Sequence, residues 1–106
     1  MAWRVEYTHE AQNDLDGLDN SRRILVFKAI RKVSVNPLPA SEGGYGKPLG
    51  NRKSSRLAGY FKIKLNRIGI RVVYGLVRSG SIMRVIVVSV RSDETVYKIA
   101  QKRIEK

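Results

Sequence analysis

Hydrophobic positions along the chain change period twice, and each change marks a new kind of element. Trp3, Val5 and Tyr7 alternate with Arg4 and Glu6, the two-residue period of a half-buried strand. The spacing then lengthens: Ala11, Leu15 and Leu18 fall on one face of a helix, with Thr8 placed to cap it and Glu10 in its first turn. Asp19-Asn20 ends that helix. Ser21 is the expected cap of a second one, along which Ile24, Phe27, Ile30 and Val33 run until Asn36, because Pro37 disfavours a helical residue before it. The two helices read as a hairpin. From Pro37 to Arg56 there are three prolines, four glycines and no periodicity, so this segment is a loop, with Leu49 expected to pin it to the core.

After the loop the period becomes two. Phe61, Ile63 and Leu65 share one face of a strand, and Tyr60, Lys62 and Lys64 share the other. Asn66 to Gly69 makes a turn, and Ile70 to Val77 and Ile82 to Val90 are further strands joined by Arg78-Ser79-Gly80-Ser81, which gives an antiparallel meander. The last of these reads as central, since Val85, Ile86, Val87 and Val88 are apolar on both faces. A third helix starts at Ser92 or Asp93, with Asp93 and Glu94 set against its N-terminal dipole and Val96, Ile99, Ala100 and Ile104 as its buried side. The expectation is a single α+β domain over residues 1–106, in the order β-α-α-β-β-β-α. Its four-stranded, largely antiparallel sheet is backed by the N-terminal helical hairpin, with the last helix at the C-terminus.

Charge changes the picture from fold to partner. Between Gly43 and Ser92 there is no Asp or Glu, yet the stretch carries eleven cations. Residues 1–46 hold six Lys/Arg against six Asp/Glu, so the whole net charge of +12 comes from residues 47–106. Self-repulsion opposes such a concentration, and a polyanion, by default nucleic acid, is the partner that offsets it. Solubility alone does not require acids to be excluded over so long a stretch. The chain has no cysteine, which excludes disulfides and thiolate zinc sites. It shows no signal peptide and no apolar run of membrane-spanning length, so a cytoplasmic location without membrane contact is expected.

Lys62 and Lys64 project from one strand face about 7 Å apart. Arg71 opens the neighbouring strand across the turn, Arg91 lies at the end of the central strand, and Tyr97 is in the first turn of the last helix. If the hairpin covers one sheet face, these five converge on the other, left open. Taken singly, each has a plainer reading: a solvated strand lysine, or a tyrosine at the edge of a helix stripe. Metal-dependent phosphodiester cleavage needs clustered carboxylates, which this stretch lacks, and His9, the only histidine, reads as exposed on the first helix. Metal-free RNA cleavage remains, in which the 2′-OH attacks its own phosphorus. Arginine forks match phosphate oxygens, a lysine crowded by cations is driven toward service as a base, and a tyrosine stacks on a base or orients the attacking hydroxyl.

At these residues the chain resembles the RelE family of bacterial toxins, the ribosome-dependent messenger RNA endonucleases of type II toxin–antitoxin pairs. The resemblance runs through Tyr7-x3-Ala11-x3-Leu15-x2-Leu18, Asn36-Pro37, Lys47-Pro48-Leu49, Gly59-Tyr60-Phe61-Lys62-Ile63-Lys64-Leu65 and Gly69-Ile70-Arg71-Val72-Val73-Tyr74. It continues through Val88-Ser89-Val90-Arg91, Val96-Tyr97 and Ala100-x2-Arg103. It implies that Lys62, Lys64, Arg71, Arg91 and Tyr97 line a catalytic site needing no metal or other cofactor. The Lys pair and Arg71 would grip phosphate, with Lys64 a candidate base and Arg91 a candidate acid or charge stabiliser. It also implies cleavage in the decoding site of translating ribosomes, a RelB-like antitoxin that wraps the toxin, and joint binding of operator DNA. Lys47, Arg52, Lys53, Arg56 and Arg67 are then candidates for RNA or ribosome contact. Two relatives share the fold: the YoeB branch uses a C-terminal histidine that is missing here, and the ParE branch, a gyrase inhibitor, typically lacks the Lys pair and helix tyrosine as a set. A non-catalytic inhibitor of gyrase or another target is the alternative reading, and a plain RNA-binding module a third.

Overall fold

The computed structural model describes residues 2–49, 59–90 and 92–104. Strand β1 (Arg4–Tyr7) leads into helices α1 (His9–Asp16) and α2 (Asn20–Ser34). A short strand β2 (Lys47–Pro48), the meander β3 (Tyr60–Leu65), β4 (Ile70–Val77) and β5 (Ile82–Ser89), and helix α3 (Asp93–Ile104) follow. The sheet order is β1-β5-β4-β3-β2, with β1 parallel to β5 and every other pair antiparallel. The α+β class and the largely antiparallel sheet are those expected, while β2 adds a fifth strand.

Local chemistry accounts for the helix ends. The Thr8 hydroxyl accepts the Ala11 N–H at 3.1 Å and starts α1. At the far end of α1 the Arg23 guanidinium donates to the carbonyls of Leu15 and Leu18 at 3.1 and 2.8 Å, satisfying groups that the helix leaves orphaned. The cap of α2 is Asp19 rather than Ser21: its carboxylate accepts the Arg22 N–H at 3.1 Å, and Ser21 donates to it. A carboxylate accepts that N–H and also complements the dipole, so it outcompetes the hydroxyl. Ile30 and Val33 of the expected α2 stripe are buried, but in the first half of the helix Val26 is buried instead, and Ile24 is exposed. Phe27 lies at the rim, edge-on to Tyr7 at 6.1 Å between ring centroids.

The sheet separates two cores. Against α1 and α2 lie Phe61, Ile70, Val72, Tyr74, Met83, Val85 and Val88. On the other face Leu49, Val73, Ile86 and Val87 pack with Val96, Tyr97 and Ala100 of α3. The apolar run of β5 serves both because the register shifts at Val73/Tyr74: Val73 faces Val87 and Tyr74 faces Val85, so Ile86 is the extra residue of a bulge. The face expected to be open is therefore partly roofed by α3. Leu49 pins the loop as expected, though to this second core. Ahead of it, the buried Tyr74 hydroxyl donates to the Pro37 carbonyl at 2.9 Å.

Tyr74→Phe should leave that carbonyl without its partner and cost about 1–3 kcal/mol in urea unfolding at neutral pH. Burial also pushes the Tyr74 phenol above the ordinary tyrosine range. A raised folded pKa means that stability is intact below the unfolded value of about 10 and falls as pH rises beyond it. The urea midpoint should drop on going from about pH 9 to about pH 11, and less so in Tyr74→Phe. An equal drop in both proteins would contradict this.

Candidate functional site

Strand pairing brings the cations together in rows. Lys64 of β3 lies opposite Arg71 of β4, which lies opposite Ser89 of β5. One step along the same face, Lys47 of β2 lies opposite Lys62, which lies opposite Val73. Directly opposed residues share a face, so Lys47, Lys62, Lys64, Arg71 and Ser89 are on the side that carries α3. Like charges directly opposed repel, and here two such pairs occur in adjacent registers. Lys47 and Lys64 are exposed, whereas Lys62 and Arg71 are half-buried.

Helix α3 supplies the remaining element. Val96, Tyr97 and Ala100 are its buried residues, and Tyr97 is only 7% exposed, its ring within the second core. Its hydroxyl reaches the polar rim and accepts a hydrogen bond from Lys62 Nζ at 2.9 Å. The same ammonium is 5.7 Å from the ring centroid, a distance that puts it beyond the hydroxyl rather than over the ring, so the contact is a hydrogen bond and not a cation–π interaction. A ring so enclosed offers no face to a nucleobase in this conformation; its hydroxyl is the end that meets the site.

Four of the five residues expected at a catalytic site, Lys62, Lys64, Arg71 and Tyr97, thus share one side of the sheet, and Lys47 joins them. Arg67 is exposed in the β3–β4 turn, at the same end as Lys64 and Arg71, and His9 is exposed on α1. Arg91, Arg52, Lys53 and Arg56 lie outside the described residues. Among those described, no group of three or more His, Asp or Glu is placed to hold a metal ion.

Two ion pairs were missed by reading the sequence. Glu42, the last acid before the acid-free stretch, takes both ends of the Arg78 guanidinium at 3.0 Å. The guanidinium holds the Glu42 carboxyl below the usual range and is itself raised by it. The pair ties the loop to the β4–β5 turn, the opposite end of the sheet from Lys64 and Arg71. Asp14 of α1 meets Arg103 of α3 at 2.7 Å. A signal existed for each partner of the second pair: Asp14 borders the Ala11/Leu15 stripe, and Arg103 is one turn beyond Ala100.

No family model and no curated protein sequence matches the chain. Solved structures do. A doubly substituted variant of the Escherichia coli RelE toxin in the free state superposes with a TM-score of 0.74 at 25% identity, covering 98% of this chain and 99% of that one. The RelBE2 toxin–antitoxin complex of Mycobacterium tuberculosis matches with a TM-score of 0.67 at 25% identity over 86% of this chain and 93% of that one. The isolated E. coli RelE toxin gives 0.68 at 24% identity over 97% and 99%. The chain is RelE-like: its fold is that of a toxin from a toxin–antitoxin pair, and the resemblance carried by its motifs extends to the architecture.

Both rows of cations should register in the salt dependence of polyanion binding. For a single-stranded RNA oligonucleotide, log affinity should fall linearly with log salt, by about 0.7 per phosphate contacted. Lys64→Gln and Arg71→Gln should each flatten the line by about one such contact, whereas Arg4→Gln, distant in the sheet, should leave the slope unchanged. Equal slopes in all four proteins would remove this face from the binding surface.

Proposed function

We propose that this chain is the toxin of a type II toxin–antitoxin pair, an endoribonuclease that cuts messenger RNA in the decoding site of the ribosome. The 2′-OH of the RNA is the nucleophile and no metal takes part. The observation that carries this reading is the pairing of Lys64 with Arg71 and of Lys47 with Lys62, side by side, next to a hydroxyl held by Lys62. Cations concentrated on one face in this way attract the phosphates of a polyanion.

In the proposed mechanism the residues divide the labour. Lys62 and Arg71, half-buried, hold the scissile phosphate and its neighbour, Arg71 through its planar fork. Lys64, exposed on the same face, takes the 2′-OH proton. The Tyr97 hydroxyl, fixed by Lys62, orients that 2′-OH; of its two candidate roles Arg91 takes that of stabilising the charge that accumulates on the phosphate, and water protonates the leaving oxygen. Lys47, Arg52, Lys53, Arg56 and Arg67 contact ribosomal or messenger RNA around the cut. A cognate RelB-like antitoxin covers the basic face, in keeping with the antitoxin complexes among the similar structures, and the complex binds operator DNA. Action on ribosomes places the protein in the cytoplasm.

Mapping messenger RNA 5′ ends after brief expression should reveal new cuts in reading frame. Their absence, with growth still arrested, would favour a gyrase-type inhibitor instead. In single turnover on ribosomes, Arg91→Ala should lower the rate about 10²–10³-fold with little change in binding. Lys64→Arg should be nearly as damaging as Lys64→Ala, because guanidinium does not deprotonate; near-normal cleavage by Lys64→Arg would exclude Lys64 as the base. Tyr97→Phe should also be slow, since its buried ring acts through the hydroxyl; full activity would remove that role.

A further inference from the structure

Strand β5 has eight residues, but β1 pairs only with Ile82 through Val85. Beyond that point the outer edge of β5 is closed by side chains. Asp14 Oδ2 accepts the Val88 N–H at 3.0 Å, and Arg103 Nη1 donates to the Ile86 carbonyl at 2.7 Å. The two side chains also meet each other in a bidentate pair, at 2.7 and 3.2 Å. Their side chains are only 21% and 19% exposed. Asp14 comes from α1 beneath one face of the sheet and Arg103 from α3 on the other, so the clamp reaches around the edge.

This clamp has a consequence for the site. Helix α3 is seated by a few apolar residues, chiefly Val96, Tyr97 and Ala100, and a small apolar contact permits sliding and rolling. Arg103 lies six residues after Tyr97, about 9 Å further along the axis and on a different side of the helix. An anchor so placed fixes both the axial position and the rotation of α3. We infer that Asp14 and Arg103 are positioning residues for the candidate site, holding the Tyr97 hydroxyl against Lys62 from around the sheet edge.

The test has two arms, of which only the second rests on the cleavage reading. In the full chain with tyrosine labelled at Cζ, the Tyr97 resonance, assigned through Tyr97→Phe, should shift in Asp14→Asn and in Arg103→Lys toward its position in Lys62→Met. The Tyr74 resonance should stay in place. Asp14→Asn keeps one acceptor for Val88, and Arg103→Lys keeps the charge but loses the fork, so both retain the fold; their thermal midpoints verify this. On ribosomes, each variant should cleave about 10- to 100-fold more slowly with binding changed less than twofold. In a Tyr97→Phe background that loss should vanish, because a residue acting through Tyr97 has nothing further to misplace. A Tyr97 resonance unmoved in both variants overturns the inference whether or not the parent cleaves RNA. So does a rate loss of the same size in the Tyr97→Phe background. If the parent cuts no RNA while the resonance moves as expected, the positioning role stands and the endoribonuclease reading falls.

Discussion

An eight-residue strand beside a four-residue one leaves amides and carbonyls without partners along half its length, and each such group costs about 1–3 kcal/mol if buried unpaired. In this chain the deficit falls on β5, which like β4 touches both cores. A carboxylate and a guanidinium meet it at Val88 and Ile86, one from each side of the sheet. Their mutual pairing keeps two half-buried charges neutralised, which neither would be alone. The orientation of α3, and everything that depends on it, follows from how this edge is closed.

The two cores carry different burdens. Beneath the hairpin, large side chains such as Tyr74, Leu15, Ile30 and Met83 are fully buried, and that layer accounts for most of the apolar burial. The layer beneath α3 is thinner, and its rim bears the opposed cations. Repulsion therefore falls on the part of the molecule least able to absorb it, the pattern expected when local stability has yielded to a binding requirement. The acid-free segment sharpens this: Glu42, the last carboxylate before it, is engaged by Arg78 away from Lys64 and Arg71, at the far end of the sheet.

Legibility from the sequence followed the range of the interaction. The shared face of Lys62 and Lys64 was readable because strand alternation is local, and so was the Thr8 cap. The stripe of α2 was readable only in its second half, at Ile30 and Val33: Ile24, Leu25, Val26 and Phe27 are consecutive apolar residues, so periodicity does not say which of them is buried. Asp19 and Ser21 are both capping types, and the choice turned on where the helix begins. In β5 the run Val85–Val88 concealed a bulge, because a continuous apolar stretch carries no register. Burial of Tyr97, and with it the partial roofing of the open face, required knowing where α3 docks. The two-residue β2 has no alternation to read, although it brings Lys47 beside Lys62.

On the function proposed above, seating the orienting hydroxyl on the ring of a core residue would have a genetic consequence. The positions that could then silence the protein would include the buried Val73, Ile86, Val87 and Ala100, because each packs in the cluster that seats the ring carrying the hydroxyl. A population selected to escape such an action would be offered many single-codon exits scattered over three elements. Most of these would look, on inspection of the altered gene, like ordinary exchanges of one aliphatic residue for another.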